Sequence, residues 1–397
     1  MDVISDLHTL DWSRTALAFR GFGVTNLGRT TDLWQRDEYR VLLEDALRAA
    51  SNVCSEVTGR DIDLIEFVRE GRDPDVESYP QALSLIVAVE VGQLNILKQL
   101  FGADWMKSQV SFGYSLGEIA ALVAGGVFEL KEALRIPLLL ADDCVALSGE
   151  VTLAVLFSRQ HVIPFGDVQR LCYQINAEGR GVIGISAQLT PNSFIIIGQH
   201  DTVDRFAQRM HEALPKSTRI HRDSRHWPPI HTPILWERNV ADRACRLMHT
   251  VDGGFREPVP PVLSLVTGEL SYNDYNARDL LCRWTDHPIL LWKAVEYVLA
   301  ENIDTVIHIG PSPKIIPATF RRMSEYVMTQ MQSWPLRTVG RIARNRWMAT
   351  LLPKRATLLR APLIQHVNLE DWLLEQPAPP LSDTESVPES PVEGTAP

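Results

Sequence analysis

Apolar positions fall into stretches of two periods. TALAFRGFG (residues 15–23) is a short apolar run ending in glycines, which predicts a buried strand entering a tight turn. Residues 32–58 carry apolar side chains at helical spacing among charges, and residues 81–100 are apolar on most faces. Both predict helices, the second one buried. VSFGYS (110–115) reads as a strand and LGEIAALVAGGV after it as a helix, so a strand-to-helix turn falls at Ser115. Residues 130–148 predict a further helix, with Pro137 in its first turn or at a kink.

The pattern changes over residues 151–218. VTLAVLFS, GVIGISAQL and NSFIIIGQ read as strands, while 165–175 and 201–213 read as helices. That order suits a small ferredoxin-like α+β insert at 149–218. Beyond it, a strand is expected at 262–267, a helix at 290–301, a strand at 304–309 and a helix near 313–329. Residues 330–373 read as a helical extension rich in arginine (Arg337, Arg341, Arg344, Arg346, Arg355, Arg360, with Lys354). From 374 the chain is rich in Pro, Ser and Glu with almost no apolar anchors, so residues 374–397 are expected to be a disordered tail.

Composition narrows the function classes. Of 397 residues, 45% are hydrophobic, enough for a sizeable core, and the net charge of −10 argues against a nucleic-acid binder. Five scattered cysteines show no CxxC pair and no Cys/His ligand spacing, so neither a metal site nor a disulfide framework is expected. Met1–Trp12 lacks the basic start of a signal peptide. The most apolar stretches are interrupted by Glu90 and Gln93, or by Asp142, Asp143 and Glu150, short of the ~18 uncharged residues of a membrane span. The expectation is a cytoplasmic enzyme without a membrane span.

The chemical signal is Gly113-Tyr114-Ser115-Leu116-Gly117, a G-x-S-x-G motif between an expected strand and an expected helix. A turn that tight needs small flanking residues, and it holds the serine exposed at the positive end of the helix. A nucleophilic serine needs a base, and eleven histidines are available. His231 stands in the rigid segment PPIHTP (228–233), although a lone histidine is more often structural.

GYSLGEIAALVAGGVFELKEAL (113–134) resembles the elbow and following helix of malonyl-CoA:acyl carrier protein transacylases and polyketide-synthase acyltransferase domains. LAFRGFG (17–23), NSFIIIGQ (192–199), IHTPIL (230–235) and HIGPSPKI (308–315) resemble further motifs of that family in the same order, so the resemblance spans most of residues 15–327. It implies a large α/β-hydrolase-like domain of residues 13–148 and 219–329, with a parallel sheet and a nucleophile elbow, into which the small subdomain is inserted. It also implies a Ser115–His231 dyad, the histidine being oriented by a backbone carbonyl near Leu290. Leu116 and Phe22 would give oxyanion-hole N–H groups, and Leu140, Gln81 and Tyr114 would line the acyl pocket. No bound cofactor is implied: acyl-CoA is the substrate and the phosphopantetheine belongs to the partner, an acyl carrier protein, docked with Arg321, Arg322 and the basic stretch 337–360.

Two departures matter. Where the family reads P-G-Q-G-S-Q, Arg20 to Thr25 read R-G-F-G-V-T, and the family's carboxylate-pairing arginine falls on Leu140. The second predicts acyl groups without a free carboxylate. An acyl-carrier-protein thioester hydrolase of the same fold and a catalytically altered binding module are the competing functions.

Overall fold

Two four-stranded sheets organise the chain in a computed structural model that describes residue 7 and residues 10–159, 161–331 and 355–377. The first sheet is parallel, in the order β2 (Val110–Gly113), β1 (Thr15–Phe19), β7 (Thr305–Ile309) and β8 (Gln365–Asn368). β1, β2 and β7 are buried along their whole length, as a sheet covered on both faces requires. In the first half of the chain stand α1 (Thr30–Trp34), α2 (Asp37–Thr58), α3 (Leu64–Glu70), α4 (Tyr79–Phe101), α5 (Leu116–Ala124) and α6 (Leu130–Ser148). α4 is long and apolar enough to cross a membrane by length and composition, but most of it is buried inside the fold.

The second sheet is antiparallel, in the order β4 (Ile183–Thr190), β5 (Ser193–Gln199), β3 (Val151–Ser158) and β6 (Thr218–Asp223). With α7 (Phe165–Asn176) and α8 (Thr202–Ala213) it gives the ferredoxin-like order βαββαβ. The fold is therefore α/β with a parallel sheet and a small ferredoxin-like unit. Residues 219–223, expected in the resumed large domain, pair instead with β3 as the edge strand of the small sheet. Beyond them come α9 (Val240–Met248), α10 (Ala277–Asp286), α11 (Leu291–Ala300), α12 (Ile315–Met331) and α13 (Leu369–Glu375).

Two further expectations are corrected. Residues 262–267 form no strand: Val262 makes a single bridge to Ser111, and Ser264 turns back onto Glu269. The segment after 330 is not simply a helical extension, because β8 completes the parallel sheet beside β7. Arg360 secures it by donating to the carbonyls of Leu299 (2.7 Å) and Ile303 (2.9 Å), so this arginine is a staple and not a docking group. Glu370 on α13 accepts from the N–H groups of Arg29 (2.8 Å) and Ser312 (2.9 Å), which ties the C-terminal segment to two loops of the large unit. Arg337, Arg341, Arg344, Arg346 and Lys354, and the expected tail beyond 377, lie outside the described residues. Residues 374 and 375 are the end of α13.

Candidate active site

β2 ends at Gly113 and α5 begins at Leu116, leaving Tyr114 and Ser115 to reverse the chain. A Cβ at Gly113 would collide with the backbone of Gly117, and one at Gly117 with the carbonyls of Phe19 and Arg20. The glycines of the motif are thus set by close packing of the elbow on itself and on the end of β1. Ser115 is held at φ 55° and ψ −116°, a region that L-residues rarely adopt. Such strain, about 1–3 kcal/mol, persists only where the surroundings enforce it, and it concentrates at functional sites.

His231 also has a positive φ, 67°, and is only 3% exposed. Its Nε2 lies 2.7 Å from Ser115 Oγ, and its Nδ1 lies 2.6 Å from the carbonyl oxygen of Trp284. A carbonyl can only accept, so Nδ1 carries the proton and Nε2 presents its lone pair to the serine hydroxyl. The His231 N–H adds a bond to the Thr285 carbonyl at 2.8 Å. Both carbonyls belong to the last turn of α10, whose negative end favours a positive charge on the imidazole. The orienting carbonyl is therefore that of Trp284. The Leu290 carbonyl instead accepts from the Lys293 N–H at 2.9 Å, at the start of α11.

Burial pushes the His231 pKa down to about 4, against the pull of the Trp284 carbonyl and of Asp286. The imidazole is thus neutral, and able to accept a proton, at neutral pH. If it serves as base, the acylation rate stays flat above about pH 5 and falls as pH drops through about 4; a single-turnover pH profile checks this, and a midpoint near 6.5 contradicts it. The same depression makes the fold lose stability as pH falls from about 6.5 to 4, because the unfolded chain takes up the proton first. Glu118 works in the opposite sense: burial pushes its carboxyl up to about 7, so its contribution is lost as pH rises from about 4.5 to 7. Rate is therefore the cleaner readout for His231.

The other expected residues divide. The N–H of Leu116 opens α5 beside Ser115, and the following N–H groups, of Gly117 and Glu118, close turns onto Tyr114 and Ser115 carbonyls at 3.0 Å. Phe22 follows Gly21, which is packed so tightly against Tyr114 and Ser115 that a Cβ would overlap them. The Phe22 ring meets Tyr79 edge-on at 4.9 Å and Trp227 at 5.9 Å. Gln81 sits in the first turn of α4, two residues after Tyr79, with its buried Oε1 lacking a partner. Leu140 is buried in the main core on α6, one turn before Cys144, whose thiol lies near the Tyr79 hydroxyl. Tyr114 is buried against Gly21, and burial pushes its phenol well above the usual range.

Trp284, Tyr79, Trp227 and Glu118 were not anticipated from the sequence. A carbonyl that orients a histidine can come from any residue type, so Trp284 leaves no compositional signal. Glu118 does leave one: it is the only charge in LGEIAALVA, and it points inward, accepting from Tyr272 Oη (2.7 Å) and the Leu265 N–H (3.1 Å). It moors the elbow helix to the 264–272 loop.

No family model matches the sequence. The chain is 23% identical over 313 residues to the malonyl CoA-acyl carrier protein transacylase of Escherichia coli K12, a match covering 77% of this chain and 92% of that protein. It is 25% identical over 305 residues to the polyketide synthase GfsA of Streptomyces halstedii, covering 75% of this chain and 4% of that far longer protein. The solved complex of a type II polyketide-synthase acyl-carrier protein with its malonyl-transacylase matches with a TM-score of 0.61 and 22% identity, covering 78% of this chain and 93% of that one. The fold is the malonyl-transacylase fold. Acyltransferase domains of polyketide synthases share it.

Proposed function

We propose that the chain is a cytoplasmic acyltransferase that moves an acyl group from acyl-CoA to an acyl carrier protein through an acyl-Ser115 intermediate. The observation that carries this reading is the 2.7 Å contact of Ser115 Oγ with a histidine nitrogen whose tautomer is fixed from the other side. His231 Nε2 takes the hydroxyl proton as Oγ attacks the thioester carbonyl. The oxyanion meets the N–H groups of Leu116 and Phe22, and the carbonyl end of α10 steadies the imidazolium. The C–S bond breaks, the thiolate takes the proton from His231, and the acyl group stays on Ser115. The phosphopantetheine thiol of the carrier then repeats the steps in reverse and takes the acyl group away. No metal or bound cofactor has a part in this sequence.

The relatives named for malonyl transfer and the solved carrier complex support the substrate class and the partner. Arg321 and Arg322, exposed on α12, belong to the proposed carrier-facing surface.

The acyl group is read from charge. A malonyl carboxylate in a closed site needs a cation, and an arginine fork is the usual one. Leu140 offers none. Arg135, earlier on the same helix, pairs with Glu56 at 2.5 Å. Arg20 is committed to the carbonyls of Gly21, Thr25 and Pro311 and to Asn26. Arg225 is held by Asp223. The proposed donor is thus an acyl-CoA without a free carboxylate. kcat/KM for acetyl-CoA is expected to exceed that for malonyl-CoA, and Leu140→Arg to move the ratio toward malonyl. A wild type that clearly favours malonyl-CoA contradicts the argument.

A further inference from the structure

Trp284 touches both members of the dyad, with different atoms. Its main-chain carbonyl accepts from His231 Nδ1 at 2.6 Å, and its side-chain Nε1–H donates to the main-chain carbonyl of Ser115 at 3.0 Å. The indole also meets the imidazole edge-on, with centroids 5.1 Å apart and planes at 82°. It is among the largest fully buried side chains, 1% exposed. The Ser115 carbonyl it holds belongs to the residue whose backbone is in the strained elbow conformation. Within the chain that carbonyl receives one turn bond, from the Glu118 N–H at 3.0 Å.

We infer that the Trp284 indole N–H is a positioning group that locks the nucleophile's backbone to the residue that orients the base. The carbonyl link alone would fix His231 to α10, and the elbow alone would fix Ser115 to α5. The indole bond ties the two frames directly, main chain to side chain, so that a 2.7 Å Oγ–Nε2 contact is kept when either helix shifts. This matters because a displacement of the order of 1 Å at reacting groups lowers rates by about a hundredfold. The inference rests on the proposed Ser115–His231 dyad.

Its test removes the N–H and keeps the ring: β-(3-benzothienyl)alanine in place of Trp284 in the full chain, with Trp284→Phe alongside. The readout is phosphonylation of Ser115 by a fluorophosphonate probe, which needs the activated serine but no particular acyl donor. The expected result for the analogue is a maximal labelling rate about tenfold lower, the loss of one neutral hydrogen bond. Probe affinity and the pH midpoint of the rate should not move, since His231 keeps its carbonyl and its burial, and the melting temperature should fall by only about 1–3 °C. A purely space-filling Trp284 would give the analogue the wild-type rate, and that result overturns the inference. Trp284→Phe should match the analogue if it folds; if it does not, the analogue decides alone. A wild type that the probe does not label removes the dyad itself, and this inference with it.

Discussion

Ser115→Ala is expected to abolish acyl transfer and the covalent adduct while leaving the fold in place. Alanine deletes one oxygen, which is hydrogen-bonded to His231 Nε2. The elbow's shape does not depend on it, because the tight turn is set by Gly113, Gly117 and the main-chain bonds around Ser115. His231→Ala is expected to slow acylation by roughly 10²–10⁴-fold, since a serine hydroxyl without its base remains a weak nucleophile. The two losses should not add: once either partner is gone, removing the other changes little more. Rates of single and double variants, measured by single turnover with the preferred acyl-CoA, check this. A full second penalty in the double variant would mean that the two residues act in separate steps.

The largest effect on stability is expected from Arg20→Met. Arg20 is 6% exposed, and its guanidinium donates to Gly21 O (2.7 Å), Thr25 O (3.0 Å), Asn26 Oδ1 (3.0 Å) and the Pro311 carbonyl. Its own N–H donates to Glu90 Oε1 at 2.8 Å. Burial pulls the guanidinium pKa down to about 10, against the fields of Glu90, Glu370 and Asp73. Burial pushes the Glu90 carboxyl up, and Arg20 pulls it back. Methionine fills similar volume but leaves these acceptors and a buried acid uncompensated, a change of about 3–5 kcal/mol. The melting temperature should fall by roughly 5–10 °C. Adding Glu90→Leu should restore part of the loss, because the orphaned acid goes with it. A single variant that melts within a degree of wild type would show that the loop from Gly21 to Asn26 does not depend on this arginine.

The sequence was most legible where structure is local. The elbow could be read because strand, turn and helix are contiguous and Gly113 answers to Gly117 four residues on, although Gly117 itself answers to the distant end of β1. The small unit was legible because its first three strands are short apolar runs and its helices keep a clean period, but its last strand was assigned to the wrong unit. TRIHRD (218–223) is polar, as an edge strand is, and periodicity alone does not mark it. β8 was missed for a similar reason: the four residues QHVN carry little pattern, and their place is set by β7, some sixty residues earlier. His231 came from the resemblance and not from its neighbours, since a buried imidazole at positive φ has no composition of its own. The carbonyl that orients it was placed six residues too late, on the loop residue Leu290, because only three-dimensional packing brings the end of α10 to the histidine. The aromatic contacts of Phe22 with Tyr79 and Trp227 join three distant segments and were likewise beyond sequence reading.

Intact mass tests the central claim most directly. The full chain would be incubated with acetyl-, propionyl- and malonyl-CoA and weighed before and after addition of a phosphopantetheinylated carrier protein. The expected result is a gain of one acyl group from a donor without a free carboxylate, carried on Ser115 and discharged to the carrier thiol, with no gain in Ser115→Ala. No adduct from any donor, or an adduct of the same size on Ser115→Ala, would contradict it.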